Sequence, residues 1–105
     1  MNVKNLFRNI PDFSKNELME EIVNNSNLRI EKIVSFGNSS PREFWYDQKE
    51  DEIVFLLKGS ATLEFPDKEI FLNPGDYIFI PSHTKHRVKK TDTKKTTVWL
   101  ALFFN

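Results

Sequence analysis

From residue 53 onward the chain divides into short apolar runs, and nearly every run is closed by a turn signal. Ile53 to Leu57, Ala61 to Phe65, Glu69 to Leu72, Tyr77 to Ile80 and Thr97 to Phe104 each have the length and composition of a strand. Lys58-Gly59-Ser60 and Pro66-Asp67-Lys68 suit tight hairpins. Pro74-Gly75 suits a type II turn, with Pro fixing φ at the second position and Gly supplying a positive φ at the third. Many short strands at regular spacing, with almost no helical periodicity, predict an all-β sandwich or closed barrel.

The first third of the chain reads differently. Between Phe13 and Asn25, Ser14 has the residue type of a helix cap with Glu17 three positions on, and Leu18, Ile22 and Val23 recur at helical spacing, which predicts a short helix. Asn24-Asn25-Ser26-Asn27 ends it. Leu28 to Phe36 then alternates, with Leu28, Ile30, Val34 and Phe36 on one side, so it reads as a strand; Lys32 interrupts the apolar side and suggests an edge position. Residues 1–34 therefore read as an N-terminal extension of strand and helix on a barrel spanning 35–105.

At 105 residues the chain holds one domain with one core, and its apolar fraction of 39%, with ten Phe and two Trp, is enough to fill that core. Fifteen basic and fifteen acidic side chains cancel, which removes the field expected of a protein that binds nucleic acid or an anionic membrane. With no cysteine there is no thiolate chemistry and no Cys-ligated zinc, and a reducing compartment is consistent. No apolar run approaches the ~20 residues of a membrane span, and the N-terminus lacks a signal-peptide pattern. The expectation is a cytoplasmic protein.

The candidate chemistry sits at the ends of two apolar strands. Glu52 precedes Ile53-Val54-Phe55-Leu56-Leu57 and shares a strand face with Val54 and Leu56, which aims its carboxylate inward; a buried carboxylate needs a partner or becomes neutral. His83 and His86 follow Pro81-Ser82, and both face one barrel mouth if the chain bends there. Gln48 and Asp47 add oxygen donors, and a set of His, Glu, Asp or Gln suits Mn, Fe, Ni or Zn. Trp45 and Tyr46 are core residues or a stacking wall for a ring-bearing ligand. Arg87, within the basic stretch Lys85 to Lys95, is able to hold a phosphate or carboxylate in a bidentate contact, although such a run is more simply a solvated strand and loop. No nucleophile elbow and no phosphate-binding glycine loop is present.

Two segments, Glu52-x6-Gly59 and Gly75-x5-Pro81-x-His83-x2-His86, resemble the two motifs of small single-domain cupins. Two of the three glycines in the chain fall on motif glycine positions, with fifteen residues between them. The resemblance covers roughly residues 35 to 104. It implies a double-stranded β-helix barrel, or jelly roll, and His86 in a metal-ligand position. It also implies a homodimer, for which the alternating Leu28 to Phe36 segment is the candidate contact. The departures bear on function: no histidine stands where the first motif has His-x-His, His83 replaces the motif glycine, and Lys90 replaces the terminal Asn. The expected function is binding of a small polar or aromatic molecule, with Trp45, Tyr46 and Arg87 as ligand contacts. A divalent metal (Zn, Mn, Fe or Ni) held by His86 and Glu52 with Gln48 or His83 would assist. The rivals are a metal-dependent dioxygenase, isomerase or lyase, and a metal-free structural or interaction cupin.

Overall fold

Alternate residues of Asp51–Lys58 and of Ala61–Phe65 are buried, so each of these strands turns one side to a core and the other outward. That pattern extends through a computed structural model describing residues 1–105, which contains eight strands and no helix. The strands are β1 (Leu18–Asn24), β2 (Leu28–Ser35), β3 (Asp51–Lys58), β4 (Ala61–Phe65), β5 (Lys68–Leu72), β6 (Tyr77–Ile80), β7 (Arg87–Thr91) and β8 (Thr97–Phe104). They build a five-stranded antiparallel sheet in the order β1-β2-β8-β3-β6 and a three-stranded sheet in the order β5-β4-β7. The sheets face each other in a jelly roll. Their inner faces meet in a core of Val54, Leu56, Leu63, Leu72, Trp99 and Phe103, with smaller residues filling in between.

The turn chemistry read from the sequence holds at Pro66-Asp67-Lys68, where β4 and β5 pair as a hairpin, and at Pro74-Gly75. Asp76 N donates to Asn73 O at 2.9 Å across Pro74-Gly75, and Gly75 takes φ of 93°, as the third position of a type II turn requires.

Three expectations are corrected. Residues 18–24, read as helix, form β1. Paired with β2 from Leu18 opposite Val34 to Asn24 opposite Arg29, the segment satisfies its backbone against a neighbour, and β-branched Ile22 and Val23 suit that state. Glu17 does not serve a helix cap; its Oε2 accepts a hydrogen bond from the Ser35 hydroxyl at 2.7 Å. Strand β2 is not an edge, since it pairs with β1 on one side and β8 on the other; β1 is the edge, exposed at every residue. Lys32 stands opposite Glu20 and is buried where residues 3–9 approach the sheet. Lastly, Lys58-Gly59-Ser60 does not close a hairpin: β3 and β4 lie in different sheets, and the turn carries the chain from one sheet to the other.

The β2 register also fixes the direction of its faces. Arg29, Glu31 and Ile33 stand opposite Phe103, Ala101 and Trp99, whose side chains point into the core, so the charged residues face inward. Leu28 and Ile30 stand opposite Phe104 and Leu102 on the outer face. No helix of the chain is long and apolar enough to cross a membrane.

Candidate functional site

The residues 46–48 lie against the turn before β7. Tyr46 N donates to His86 O at 2.7 Å, His86 N returns the bond to Tyr46 O at 3.2 Å, and His83 N donates to Gln48 O at 2.7 Å. This short antiparallel contact imposes a strand's alternation. Tyr46 and Gln48 turn into the space between the sheets, and Asp47 turns out. His83 follows Asp47, and its Nδ1 lies 2.8 Å from Asp47 Oδ1 on the surface. At His83 the backbone has φ of 57°, the left-handed conformation that a glycine adopts without steric strain. The departure from the motif glycine is therefore absorbed as local strain, and the histidine faces away from the site.

Inside, Glu52 and His86 meet. His86 Nε2 is 3.3 Å from Glu52 Oε1, and the two residues are 5% and 8% exposed. Gln48 Nε2 donates to the same Glu52 oxygen at 2.9 Å. His86 Nδ1 donates to Thr84 O at 2.8 Å, an assignment that follows because a carbonyl only accepts. Burial acts to lower the His86 pKa, but the Glu52 hydrogen bond, the Thr84 carbonyl and the Glu52 charge together raise it above its ordinary value. The ring is flanked by aromatic side chains, with Tyr46 stacked at 5.5 Å between centroids and Phe65 tilted at 6.2 Å.

A raised folded-state pKa has a definite sign in stability. The contribution is fully present below the unfolded value of about 6.5 and is lost as pH rises through the higher folded value. Urea midpoints measured from about pH 6 to about pH 9 are expected to fall more in the wild type than in Glu52→Gln. Parallel curves for the two proteins would show that the pair carries no such linkage.

These groups open onto a cavity of about 250 Å³ between the sheets. Its polar wall is formed by Glu17, Arg29, Glu31, Gln48, Glu52 and His86, and its apolar wall includes Val54, Val88, Trp99 and Phe103 under Tyr46. Burial raises the Tyr46 pKa, and the charges of Glu17, Glu52 and Glu31 raise it further, so the phenol keeps its proton at neutral pH. Trp99 Nε1 donates to Ser35 Oγ at 3.1 Å, and Ser35 in turn donates to Glu17, which ties the segment before β1 to the cavity wall. Two wider surface grooves, of about 720 and 450 Å³, contain neither the His86 ring nor a buried carboxylate.

Of the residues singled out from sequence, Tyr46, Gln48, Glu52 and His86 come together. His83 is on the surface, and Trp45 is half-buried outside the cavity lining, where Trp99 takes the wall position. Arg87 also lies outside the lining: Nη1 pairs with Glu64 at 2.8 Å, Nη2 donates to Ser40 O at 3.1 Å, and Nε is buried without a partner. It clamps the 40–41 segment to β4. Glu17, Arg29, Glu31, Trp99 and Phe103 were missed. The signal for Arg29 and Glu31 was their alternation with Leu28 and Ile30, set against a β8 that is apolar on both sides.

No group of three or more His, Asp or Glu gathers anywhere in the chain in a way that could hold a metal ion. The donors that meet are one imidazole, His86, one carboxylate, Glu52, and one amide, Gln48; Glu17 and Glu31 lie on the same wall without joining them in a group, which leaves fewer ionisable ligands than a firmly held transition metal uses. Glu52 Oε1 is engaged by the Gln48 amide and faces His86 Nε2 at 3.3 Å. The donor set does not fit a resident metal.

Comparison with known proteins agrees with this architecture. A search of curated proteins finds no match. A candidate mannose-6-phosphate isomerase from Ralstonia eutropha JMP134 is 36% identical over 100% of this chain and 99% of its own, with a TM-score of 0.95. A cupin superfamily protein from Desulfitobacterium hafniense DCB-2 is 21% identical over 90% of this chain and 83% of its own, with a TM-score of 0.77. A protein from Thermus thermophilus is 16% identical over 99% of this chain and 97% of its own, with a TM-score of 0.80. The latter two show likeness of fold alone. The family profile described as a cupin domain matches residues 34–103, most of the two sheets and all of the segments that resembled the motifs, and the chain belongs to the cupin family.

Proposed function

We propose that this chain is a cytoplasmic binding cupin that holds a compact organic molecule directly between Tyr46, Gln48, Glu52 and His86, without a resident metal. The observation that carries the reading is the buried Glu52–His86 pair at the wall of an aromatic-lined cavity. Pockets that combine apolar walls with a few convergent polar groups bind small molecules, and about 250 Å³ is below the roughly 300–1,000 Å³ of drug-sized sites, so the ligand is compact. The test is ligand binding followed by Trp99 fluorescence before and after exhaustive chelation. Binding that survives chelation is the expected result. Binding lost on chelation and restored by Mn, Fe, Ni or Zn would overturn the metal-free reading.

The likeness to a candidate mannose-6-phosphate isomerase suggests a second reading, an isomerase of a phosphorylated sugar. The cavity chemistry counts against it. A phosphate dianion would enter beside Glu17, Glu31 and Glu52, and the cavity guanidinium, Arg29, is already held by Glu31 at 2.9 Å and Glu50 at 2.8 Å.

We also propose that two copies pair through the outer face of the five-stranded sheet. Ile53, Phe55, Tyr77, Phe79, Leu102 and Phe104 share that face by register. Tyr77 and Phe79 are 68% and 51% exposed, and a contiguous apolar face of this kind marks an interaction surface. Neutral net charge offers no long-range repulsion between copies. Since β2 is paired on both edges, it would contribute Leu28 and Ile30 by its face. Light scattering is expected to return a dimer for the wild type and a monomer for Phe79→Glu; a wild-type monomer at high micromolar concentration would dismiss the interface.

A further inference from the structure

Carboxylates dominate the charge of the cavity. Three of them, Glu17, Glu31 and Glu52, line it against one guanidinium, and the balance stays negative even with His86 protonated. Two of the three are nine-tenths buried, Glu52 at 8% and Glu31 at 9% exposure.

Each carboxylate keeps one oxygen in reserve. Glu52 Oε1 receives Gln48 and faces His86, Glu31 Oε2 receives Arg29 Nε, and Glu17 Oε2 receives the Ser35 hydroxyl. The other oxygen of each accepts no hydrogen bond from within the chain. The donors are partly committed: Trp99 Nε1 serves Ser35, and Arg29 uses Nε and Nη1 on Glu31 and Glu50, which leaves Arg29 Nη2 and one Gln48 amide hydrogen. The cavity thus has three spare carboxylate oxygens and a net negative field, and its one guanidinium is already neutralised by Glu31 and Glu50. Acceptors of this kind, gathered in a negative field, recognise a donor-bearing cation far better than an anion.

The apolar walls suit the same ligand. Tyr46, Trp99 and Phe103 present aromatic surface to the cavity, and one of these faces already carries a cation, the Arg29 guanidinium lying 4.2 Å from the Phe103 ring centroid. The charges of Glu17, Glu52 and Glu31 that reach the Tyr46 phenol describe the same negative field.

We propose that the ligand of this cavity is a compact organic cation, an ammonium or guanidinium group on a small apolar or aromatic body, whose charged end meets the free oxygens of Glu31 and Glu52 while its body lies under Tyr46. The inference rests on the reading of the cavity as a small-molecule site and specifies the class of molecule it takes.

The test uses three probes of one shape that differ in charge: benzylamine, benzyl alcohol and benzoate, titrated into the full-length protein in the presence of chelator. Benzylamine is expected to bind on the order of tenfold more tightly than benzyl alcohol, with benzoate the weakest. Glu52→Gln is expected to reduce the preference of amine over alcohol. Glu17→Gln, at an exposed position that does not endanger folding, is expected to reduce it less. Benzyl alcohol or benzoate binding as tightly as benzylamine would overturn the cation assignment and leave the small-molecule reading standing. A preference for the amine that is the same in both variants as in the wild type would also overturn it. Absence of binding by all three would overturn both.

Discussion

Gly59→Ala is expected to remove roughly 3–5 kcal/mol of folding stability, against a total of about 5–15 kcal/mol for a domain of this size. Gly59 turns the chain from β3 into β4 with φ of 88°, and a Cβ built there would lie 2.4 Å from Thr97 Oγ1, 2.7 Å from Thr97 Cα and 2.8 Å from Thr96 O. Two of those three atoms are backbone. Thr97 cannot retreat, since it is wholly buried at the start of β8, the strand between β2 and β3, and its hydroxyl donates to Ser60 O at 3.2 Å. The substitution thus combines a conformation that alanine disfavours with contacts that only a shift of the central strand relieves. Urea unfolding of the purified variant measures the effect. A loss below about 1 kcal/mol would mean that the β3–β4 turn relaxes independently of β8.

Glu52→Ala is expected to be nearly as damaging, at about 3–5 kcal/mol, for a different reason. It leaves the buried His86 Nε2 and the Gln48 amide without their shared acceptor and opens the polar wall of the cavity. The penalty belongs mainly to the groups left behind. A paired replacement, Glu52→Leu with His86→Phe, removes both partners and is expected to recover most of the stability while abolishing ligand binding. That divergence separates a pair kept for function from one kept for folding. If the double variant still binds the ligand of the wild type, the pair is scaffolding and the site lies elsewhere.

Much of the fold was legible because strand length, turn residues and alternation agree from Ile53 to Phe104. Gly59 and Gly75 both take the positive φ that their turns require, although the turn at Gly59 crosses between the sheets and does not close the hairpin that the sequence predicts. The misreadings have physical causes. Leu18, Ile22 and Val23 satisfy a helical spacing by coincidence, and the pairing partner that makes this segment a strand, β2, is invisible to a local pattern. The reading of the basic run as a solvated strand holds for β7, where Lys89 and Lys90 are exposed and charge is compatible with a strand.

The site was legible where it depends on position along one strand. Glu52 shares the inner side with Val54 and Leu56, as alternation required, and His86 faces the cavity from the segment before β7. What alternation within β2 alone could not convey was the inward direction of Arg29 and Glu31. An alternating strand buries its apolar side when only one side is covered, but β2 lies in a sheet whose inner face lines a polar cavity and whose outer face carries Leu28, Ile30, Leu102 and Phe104. The doubly apolar β8 reports the same arrangement, since Trp99, Ala101 and Phe103 fill the core while Leu100, Leu102 and Phe104 face outward. The three-dimensional register, and not the period, decides which side becomes the site.

The most direct measurement is a chemical-shift map of isotope-labelled protein titrated with benzylamine and, in turn, with benzyl alcohol, reading the backbone amides and the Trp99 indole N–H. Shifts are expected to concentrate at Tyr46, Gln48, Val54, Val88 and the Trp99 Nε1–H, all on the wall of the cavity. Shifts confined to the outer sheet around Phe55, Tyr77 and Phe79 would contradict the assignment of the Glu52–His86 cavity as the binding site.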